Sequence, residues 1–348
     1  MTKENYMHRC LELARLGGGY TAPNPMVGSV LVYGDRIIGE GYHRQYGQEH
    51  AEVNCIRSVR PEDEDLIPQS VLYVSLEPCA HHGKTPPCAD LIIRRQIPSV
   101  VVGCRDPFPA VNGKGIEKLM AAGVSVELGI SEAACIDLNR RFFTFHTKHR
   151  PYIVLKWAQS VDGKIASAHR SRVFISNEYS NRLVHRWRSE EASILVGTQT
   201  AMTDNPELTV RLWGGPNPVR LVIDLDLKLP PTLQVFDGRV RTLVFNRHRH
   251  EETGTVSFYQ VADDSSLVQQ VLVALHRLKI QSVLVEGGAR LLQSFIDEGC
   301  WDEARVISNM DLLIGEGLPA PVLKDGRDAG SEKLLADTIR YYRNEAAL

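Results

Sequence analysis

At 348 residues the chain is long enough for about two domains, and with 43% hydrophobic and 24% charged residues it has a globular rather than a disordered or fibrous composition. Forty Lys and Arg against 42 Asp and Glu leave a formal net charge of −2, which argues against general nucleic-acid binding, a task that needs a cationic excess. No apolar run approaches the roughly 18 residues that span a bilayer, and MTKENYMHRCLELARLGGG lacks the apolar core of a secretory signal, so a cytoplasmic protein without a membrane partner is expected.

Met7, Leu11 and Ala14 recur at helical spacing within residues 3–16, and Gly17-Gly18-Gly19 ends that helix. MVGSVLVYGDRIIGEGYH reads as two strands about a Gly34-Asp35 turn. A helix is expected over 49–60, stopped by Pro61 and an acidic loop at 62–65. Strand 71–76, helix 88–95, strand 100–104, helix 115–122, strand 124–128 and helix 131–141 follow. The polar run His146 to Pro151 marks a domain boundary, giving domains 1–147 and 148–348. The pattern then restarts with strand 152–158, helix 177–189, and strands 193–196, 219–223, 242–245 and 282–285. Helices at 265–278 and 289–298 complete it. Strands alternating with helices in both halves predict the α/β class, with at least one antiparallel hairpin in the first half.

Of seven cysteines, Cys10, Cys55, Cys104, Cys135 and Cys300 stand alone and read as small hydrophobes. Cys79 and Cys88 differ, because they bracket the polar, turn-rich AHHGKTPP. With His50 they form a donor set suited to zinc: a catalytic site uses three protein ligands and leaves one position for water. Glu52, two residues beyond His50, lies within one helical turn of it and can take that water's proton without binding the metal. H-x-E followed by P-C-x-x-C is the zinc-deaminase arrangement, although here eight residues rather than two separate the cysteines. A closed structural site that recruits His81 or His82 is the alternative. H-A-E at a helix start together with E-P-C at a strand end favours the open, catalytic form.

The second half has no G-x-G-x-x-G after a strand, which disfavours a Rossmann site. SVLVEGGARLL places Glu286-Gly287-Gly288 between a strand and a helix, where backbone N–H groups can receive a phosphate, though plain packing uses the same pattern. ILVGTQTAMTDNPELTVR runs off a strand into a polar loop carrying Thr200, Asp204 and Arg211, and Arg188 ends the preceding helix. Guanidinium groups match phosphate oxygens, but a pair of surface charges fits Arg188 and Arg211 as well.

PNPMVGSVLVYGDRIIGEGYHRQYGQEHAEV, LYVSLEPCAHHGKTPPCADLII and RDPFPAVNGKGIEKLMAAGV resemble the deaminase half of the bifunctional riboflavin-biosynthesis deaminase/reductase family, whose elongated G-K-T-P-P-C loop accounts for the wide cysteine spacing. The resemblance implies a cytidine-deaminase-like fold with zinc on His50, Cys79 and Cys88, and Glu52 as proton shuttle. It places Asn24, His43 and Lys84 at the substrate. RPYIVLKWAQSVDGKIA, NPVRLVIDLDLKLP and the two glycine- and threonine-bearing segments above resemble the reductase half, similar in fold to dihydrofolate reductase, which implies NADPH. By that resemblance Gln159, Phe174, Thr200, Asp204, Gly287 and Gly288 fall at the cofactor, and Arg188, Leu208, Arg211 and Glu286 at the phosphoribosyl substrate. Phe174 replaces a usual Trp, Ser171 does not align with the family's substrate serine, and Asn205 replaces an acidic residue. The implied function is two consecutive steps on one small phosphoribosyl-pyrimidine by a homo-oligomer, a dimer or tetramer. The rivals are a deaminase of a free base, nucleoside or tRNA with an accessory second half, and a zinc-stabilised nucleotide-binding module without catalysis.

Overall fold

The structure, a computed structural model, describes residues 1–81, 86–168, 173–252 and 254–345. The chain divides into two compact units, Met1–His149 and Arg150–Leu348.

In the first unit the elements run α1 (Lys3–Arg15), β1 (Gly28–Tyr33), β2 (Arg36–Tyr42), α2 (Ala51–Arg57), a 3-10 helix (Pro61–Gln69), β3 (Val71–Leu76), α3 (Cys88–Arg94), β4 (Ser99–Cys104), α4 (Lys114–Ala121), β5 (Ser125–Leu128), α5 (Glu132–Leu138) and α6 (Arg140–Thr147). The sheet order is β2-β1-β3-β4-β5. Strand β1 is antiparallel to β2 and β3, and β3, β4 and β5 are parallel. Alternate strand residues bury on opposite faces. Leu31, Leu72, Val74, Val100 and Val102 meet Cys55 and Ile56 of α2, Ile92 of α3 and Leu119 of α4. Val30, Val32, Tyr73 and Val101 meet Met7, Cys10 and Leu11 of α1 and Cys135 of α5. The result is a three-layered α/β/α unit.

Two local readings change. The expected acidic loop after Pro61 is helical, with proline at its first turn, where a missing N–H costs nothing. The expected single helix over 131–141 is two, broken at Asn139. There the side chain leaves the helix to exchange two hydrogen bonds with the Met26 backbone, each 2.8 Å.

The second unit contains β6 (Tyr152–Ser160), β7 (Lys164–Ser167), α7 (Glu178–Glu190), β8 (Ser193–Gly197), α8 (Thr198–Asp204), β9 (Val219–Ile223), a short 3-10 turn (Gln234–Phe236), β10 (Thr242–Asn246), β11 (Val256–Gln260), α9 (Leu267–Arg277), β12 (Ser282–Gly287), α10 (Ala289–Asp297), β13 (Glu303–Asn309), β14 (Gly317–Pro319), β15 (Gly326–Leu334) and β16 (Asp337–Asn344). Nine strands lie in the order β11-β10-β9-β8-β12-β6-β13-β16-β15, with every neighbouring pair parallel except that β16 is antiparallel to both β13 and β15. Both faces are covered. Val268, Val271 and Leu275 of α9 and Leu292 and Phe295 of α10 pack on Ile153, Leu155, Leu195 and Val285. Val184 and Trp187 of α7 pack on Tyr152, Val154 and Leu284. Strands buried on both faces read as unbroken apolar runs, which is why β6 and β12 stand out in the sequence.

The threonine-rich stretch expected as a loop after β8 forms α8. Its propensity is weak, and it is held by its surroundings: Ala201 is fully buried and Thr198 Oγ1 donates to the Ile223 carbonyl at 2.7 Å. Among the described residues no helix is long and apolar enough to cross a membrane.

Candidate functional site

In the first unit two helix N-termini converge at the carboxyl end of β3. His50 is the N-cap of α2, yet its side chain makes no capping hydrogen bond and turns instead toward the cysteines. Cys79 follows β3 through Glu77-Pro78, and Cys88 is the first residue of α3. His50 Nδ1 stands 3.5 Å from Cys79 Sγ and 3.4 Å from Cys88 Sγ, and the three donor atoms lie within 4.8 Å of one another. Tetrahedral zinc with ordinary Zn–N and Zn–S bonds needs ~3.6 Å between nitrogen and sulfur. The donor set therefore fits zinc in both chemistry and spacing.

The backbone N–H of Cys88 donates to Cys79 Sγ at 3.3 Å. Hydrogen bonds from Cys88 and His50 hold Cys79 well below the ordinary thiol range, despite its burial, so a thiolate is favoured there. Glu52, the second residue of α2, is buried, and burial pushes its carboxyl up. His81 lies outside this donor group, its ring 6.1 Å from that of Phe108. Lys84, and with it His82, falls outside the described residues. Asn24 and His43 are brought together beside the ligands. Asn24 Nδ2 donates to His43 Nε2 at 3.2 Å, His43 Nδ1 donates to the Glu49 carbonyl at 2.9 Å, and the His43 and His50 rings are 5.4 Å apart. This pattern fixes a neutral His43, and burial lowers its pKa further.

Glu77 is a residue that sequence reasoning passed over. Buried behind Cys79, it accepts backbone N–H groups from Gly113 (2.9 Å), Gly115 (3.0 Å), Asp106 (3.3 Å) and Ile116 (3.4 Å). It thereby ties the RDPFPAVNGKG segment to the cysteine turn. Gly115 is obligatory in that tie, because a Cβ there would lie 1.8 Å from the Pro78 carbonyl oxygen. Gly115→Ala is expected to displace Pro78-Cys79, with a clear fall in melting temperature and a lowered zinc content by metal analysis. A variant with wild-type stability and full zinc would contradict this tie.

In the second unit β12, α7 and the segment after α8 meet at a buried charge cluster. Arg188 is bidentate to Glu286, with Nε to Oε1 at 2.7 Å and Nη2 to Oε2 at 2.8 Å. Lys156 Nζ on β6 lies 3.9 Å from Glu286 Oε2. Arg188 Nη1 donates to the Thr209 carbonyl at 3.2 Å, and Arg211 Nη1 to Thr209 Oγ1 at 2.7 Å. Burial raises Glu286, but Arg188 and Lys156 outweigh it and bring its carboxyl down to about 2. Burial lowers the Lys156 ammonium, with Glu286 opposing. Two cations around one carboxylate leave a net positive, buried cluster suited to an anionic, oxygen-rich ligand.

Thr200 faces the Gly287-Gly288 turn that opens α10; a Cβ at either glycine would meet Thr200 Oγ1 at 3.2 or 3.1 Å.

Residues 1–104 match the family model of the cytidine and deoxycytidylate deaminase zinc-binding region, and residues 151–331 match that of the RibD C-terminal domain. The chain is 40% identical over 320 residues to riboflavin biosynthesis protein RibD of Aquifex aeolicus, covering 90% of this chain and 88% of that one. It is 34% identical over 331 residues to the Escherichia coli RibD, covering 90% and 89%. A solved diaminohydroxyphosphoribosylaminopyrimidine deaminase/5-amino-6-(5-phosphoribosylamino)uracil reductase from Thermotoga maritima superposes with a TM-score of 0.89 at 37% identity, covering 98% of both chains. The chain belongs to the RibD family. It is a bifunctional deaminase and reductase of riboflavin biosynthesis, with zinc and NADPH as cofactors. The first unit is cytidine-deaminase-like and the second dihydrofolate-reductase-like.

Leu208 is buried with φ of +54°. Asp204 is exposed at the end of α8. Gln159 accepts the indole N–H of Trp157 at 2.8 Å. Phe174 is 75% exposed, and Ser171 lies outside the described residues. Asn205 has a local reason to replace an acid: it caps α8 with φ of +41°, and its amide oxygen accepts the Gln234 N–H at 2.7 Å. Lys156 was missed, and the one available signal was a lone cation inside the apolar run YIVLKWA.

Proposed function

We propose that residues 1–147 hydrolytically remove the 2-amino group of 2,5-diamino-6-ribosylamino-4(3H)-pyrimidinone 5′-phosphate, and that residues 148–348 then reduce its ribosyl group to ribityl. Supporting this, above all, is the convergence of His50, Cys79 and Cys88 within 4.8 Å with Glu52 buried alongside. Held by those three donors, zinc supplies the Lewis acidity that makes water a nucleophile near neutral pH. Glu52 would accept the proton of the attacking water on its carboxylate and give it to a ring nitrogen, then take a second proton from the hydroxyl group added to the carbon and give it to the amine, which departs as ammonia. Asn24, the neutral His43 and Lys84 orient the pyrimidine.

In the reductase half NADPH supplies the hydride, with Gln159, Phe174, Thr200, Asp204 and Gly287-Gly288 as its binding positions. Arg188, Leu208, Arg211 and Glu286 hold the phosphoribosyl group, and Lys156 completes their charge cluster. This step demands orientation more than strong acid catalysis, consistent with a site built of ion pairs. The enzyme acts as a homo-oligomer in the cytoplasm.

Metal removal tests the division of labour. Chelated protein is expected to lose ammonia release from the pyrimidine phosphate while still oxidising NADPH on material deaminated beforehand, and added zinc is expected to restore the first step. Ammonia release that survives complete zinc removal contradicts the reading of the first site. NADPH left unoxidised by zinc-replete protein with deaminated substrate contradicts the second.

A further inference from the structure

Helix α7 grips the segment 209–211 at two points one turn apart. Arg188 holds the Thr209 carbonyl through Nη1 at 3.2 Å. Three residues earlier, His185 Nδ1 accepts the backbone N–H of Arg211 at 3.0 Å. The segment opens on Leu208, whose φ of +54° is a left-handed conformation that a non-glycine residue keeps only where its surroundings enforce it. The Arg211 side chain itself is 47% exposed, with Nη1 on Thr209 Oγ1 at 2.7 Å and 3.4 Å from Glu207. A long, half-exposed arginine has many rotamers, and its aim depends on how firmly its backbone is fixed.

His185 is buried, with 6% of its surface exposed. An imidazole that accepts on Nδ1 is neutral and carries its proton on Nε2. Burial, then the cations of Arg188, Arg211 and Lys156, keep it neutral and bring its pKa down to about 4, with Glu286 acting in the opposite sense. A charged histidine would lose the acceptor, so the charge cluster that suits an anion also preserves the hydrogen bond that shapes the segment.

We propose that His185 is a positioning residue of the reductase: its neutral imidazole fixes the Arg211 backbone and so aims the Arg211 guanidinium at the substrate's phosphate. This rests on the reading of Arg211 as a phosphate-holding residue. The acceptor is what matters, and an amide oxygen at the δ position can replace it.

The test is steady-state NADPH oxidation by the full chain, with 5-amino-6-(5-phosphoribosylamino)uracil as the varied substrate. His185→Leu leaves the Arg211 N–H unsatisfied and is expected to raise KM for that substrate about tenfold, with kcat and KM for NADPH changed less than about twofold. His185→Asn, whose Oδ1 takes the place of Nδ1, is expected to restore KM to within about threefold. Arg211→Ala is measured beside them. If Arg211→Ala raises KM and His185→Leu does not, the positioning role is overturned and the phosphate reading stands. If Arg211→Ala leaves KM unchanged, the phosphate reading fails and the inference falls with it. A loss of kcat and of both KM values that Asn does not rescue marks His185 as a packing residue and also overturns the proposal. Should His185→Leu fail to fold, as judged by circular dichroism, the Asn variant decides: a KM raised tenfold or more despite native folding refutes the acceptor argument, and a near-wild-type KM supports it.

Discussion

Glu52→Gln is expected to abolish ammonia release while leaving one zinc per chain. The carboxylate is buried two residues beyond His50 and is not among the three donor atoms that converge on the metal position, so its loss removes no ligand. Gln has nearly the same shape and keeps the packing, but it can neither accept a proton from water nor return one to the pyrimidine. General acid–base catalysis by one group contributes roughly 10²- to 10⁴-fold, and here one group serves successive transfers, which places the loss at the upper end. The assay pairs ammonia release with metal analysis and with NADPH oxidation on deaminated substrate, which is expected to stay at the wild-type rate. Full deaminase activity in the variant, or loss of zinc from it, contradicts the assigned role.

The two chemistries differ in how far the chain exposes them before folding. The candidate zinc donors were legible because thiolate, imidazole and carboxylate are chemically specific, and because His50 and Cys88 sit at helix starts that the apolar pattern delimits. Glu77 was not, since its four backbone donors arrive from a loop and the first turn of α4, some thirty to forty residues away, and a carboxylate before Pro-Cys carries no local mark of that task. In the second unit the same limit cost a strand. β13 reads poorly because Glu303 and Arg305 interrupt it, yet both are buried, joined by a 2.6 Å hydrogen bond from Arg305 Nε to Glu303 Oε1. Alternation rules treat each charge as a vote for solvent and cannot see two that neutralise one another. β15 and β16 were equally silent: β15 is exposed along nearly its whole length, so no apolar period announces it. α8 failed for the opposite reason, because packing rather than propensity makes it a helix.

The second large effect is expected at Glu286. Its carboxylate offsets part of the charge of two buried cations, with Arg188 bidentate on it and Lys156 at 3.9 Å. Glu286→Gln keeps one acceptor for Arg188 but leaves both positive charges uncompensated, with side chains only 13% and 14% exposed. Removing one member of a buried ion pair costs about 3–5 kcal/mol, most of it the penalty for the charge left behind. Chemical denaturation is expected to show a loss of about that size at neutral pH, and NADPH oxidation is expected to collapse as Arg188 swings away from Thr209. The sign of the pH dependence follows from the pKa. Glu286 is depressed from 4.5 to about 2, so its contribution is complete above about pH 4.5 and is lost as pH falls toward 2. The stability gap between wild type and variant is therefore expected to be widest at neutral pH and to close in acid. A gap that stays constant from pH 7 to pH 2 would show that shape, and not charge, is what Glu286 contributes. Reduction depends on the same balance: an excess of positive charge that attracts a phosphate is tolerable inside the fold only because Glu286 offsets part of it.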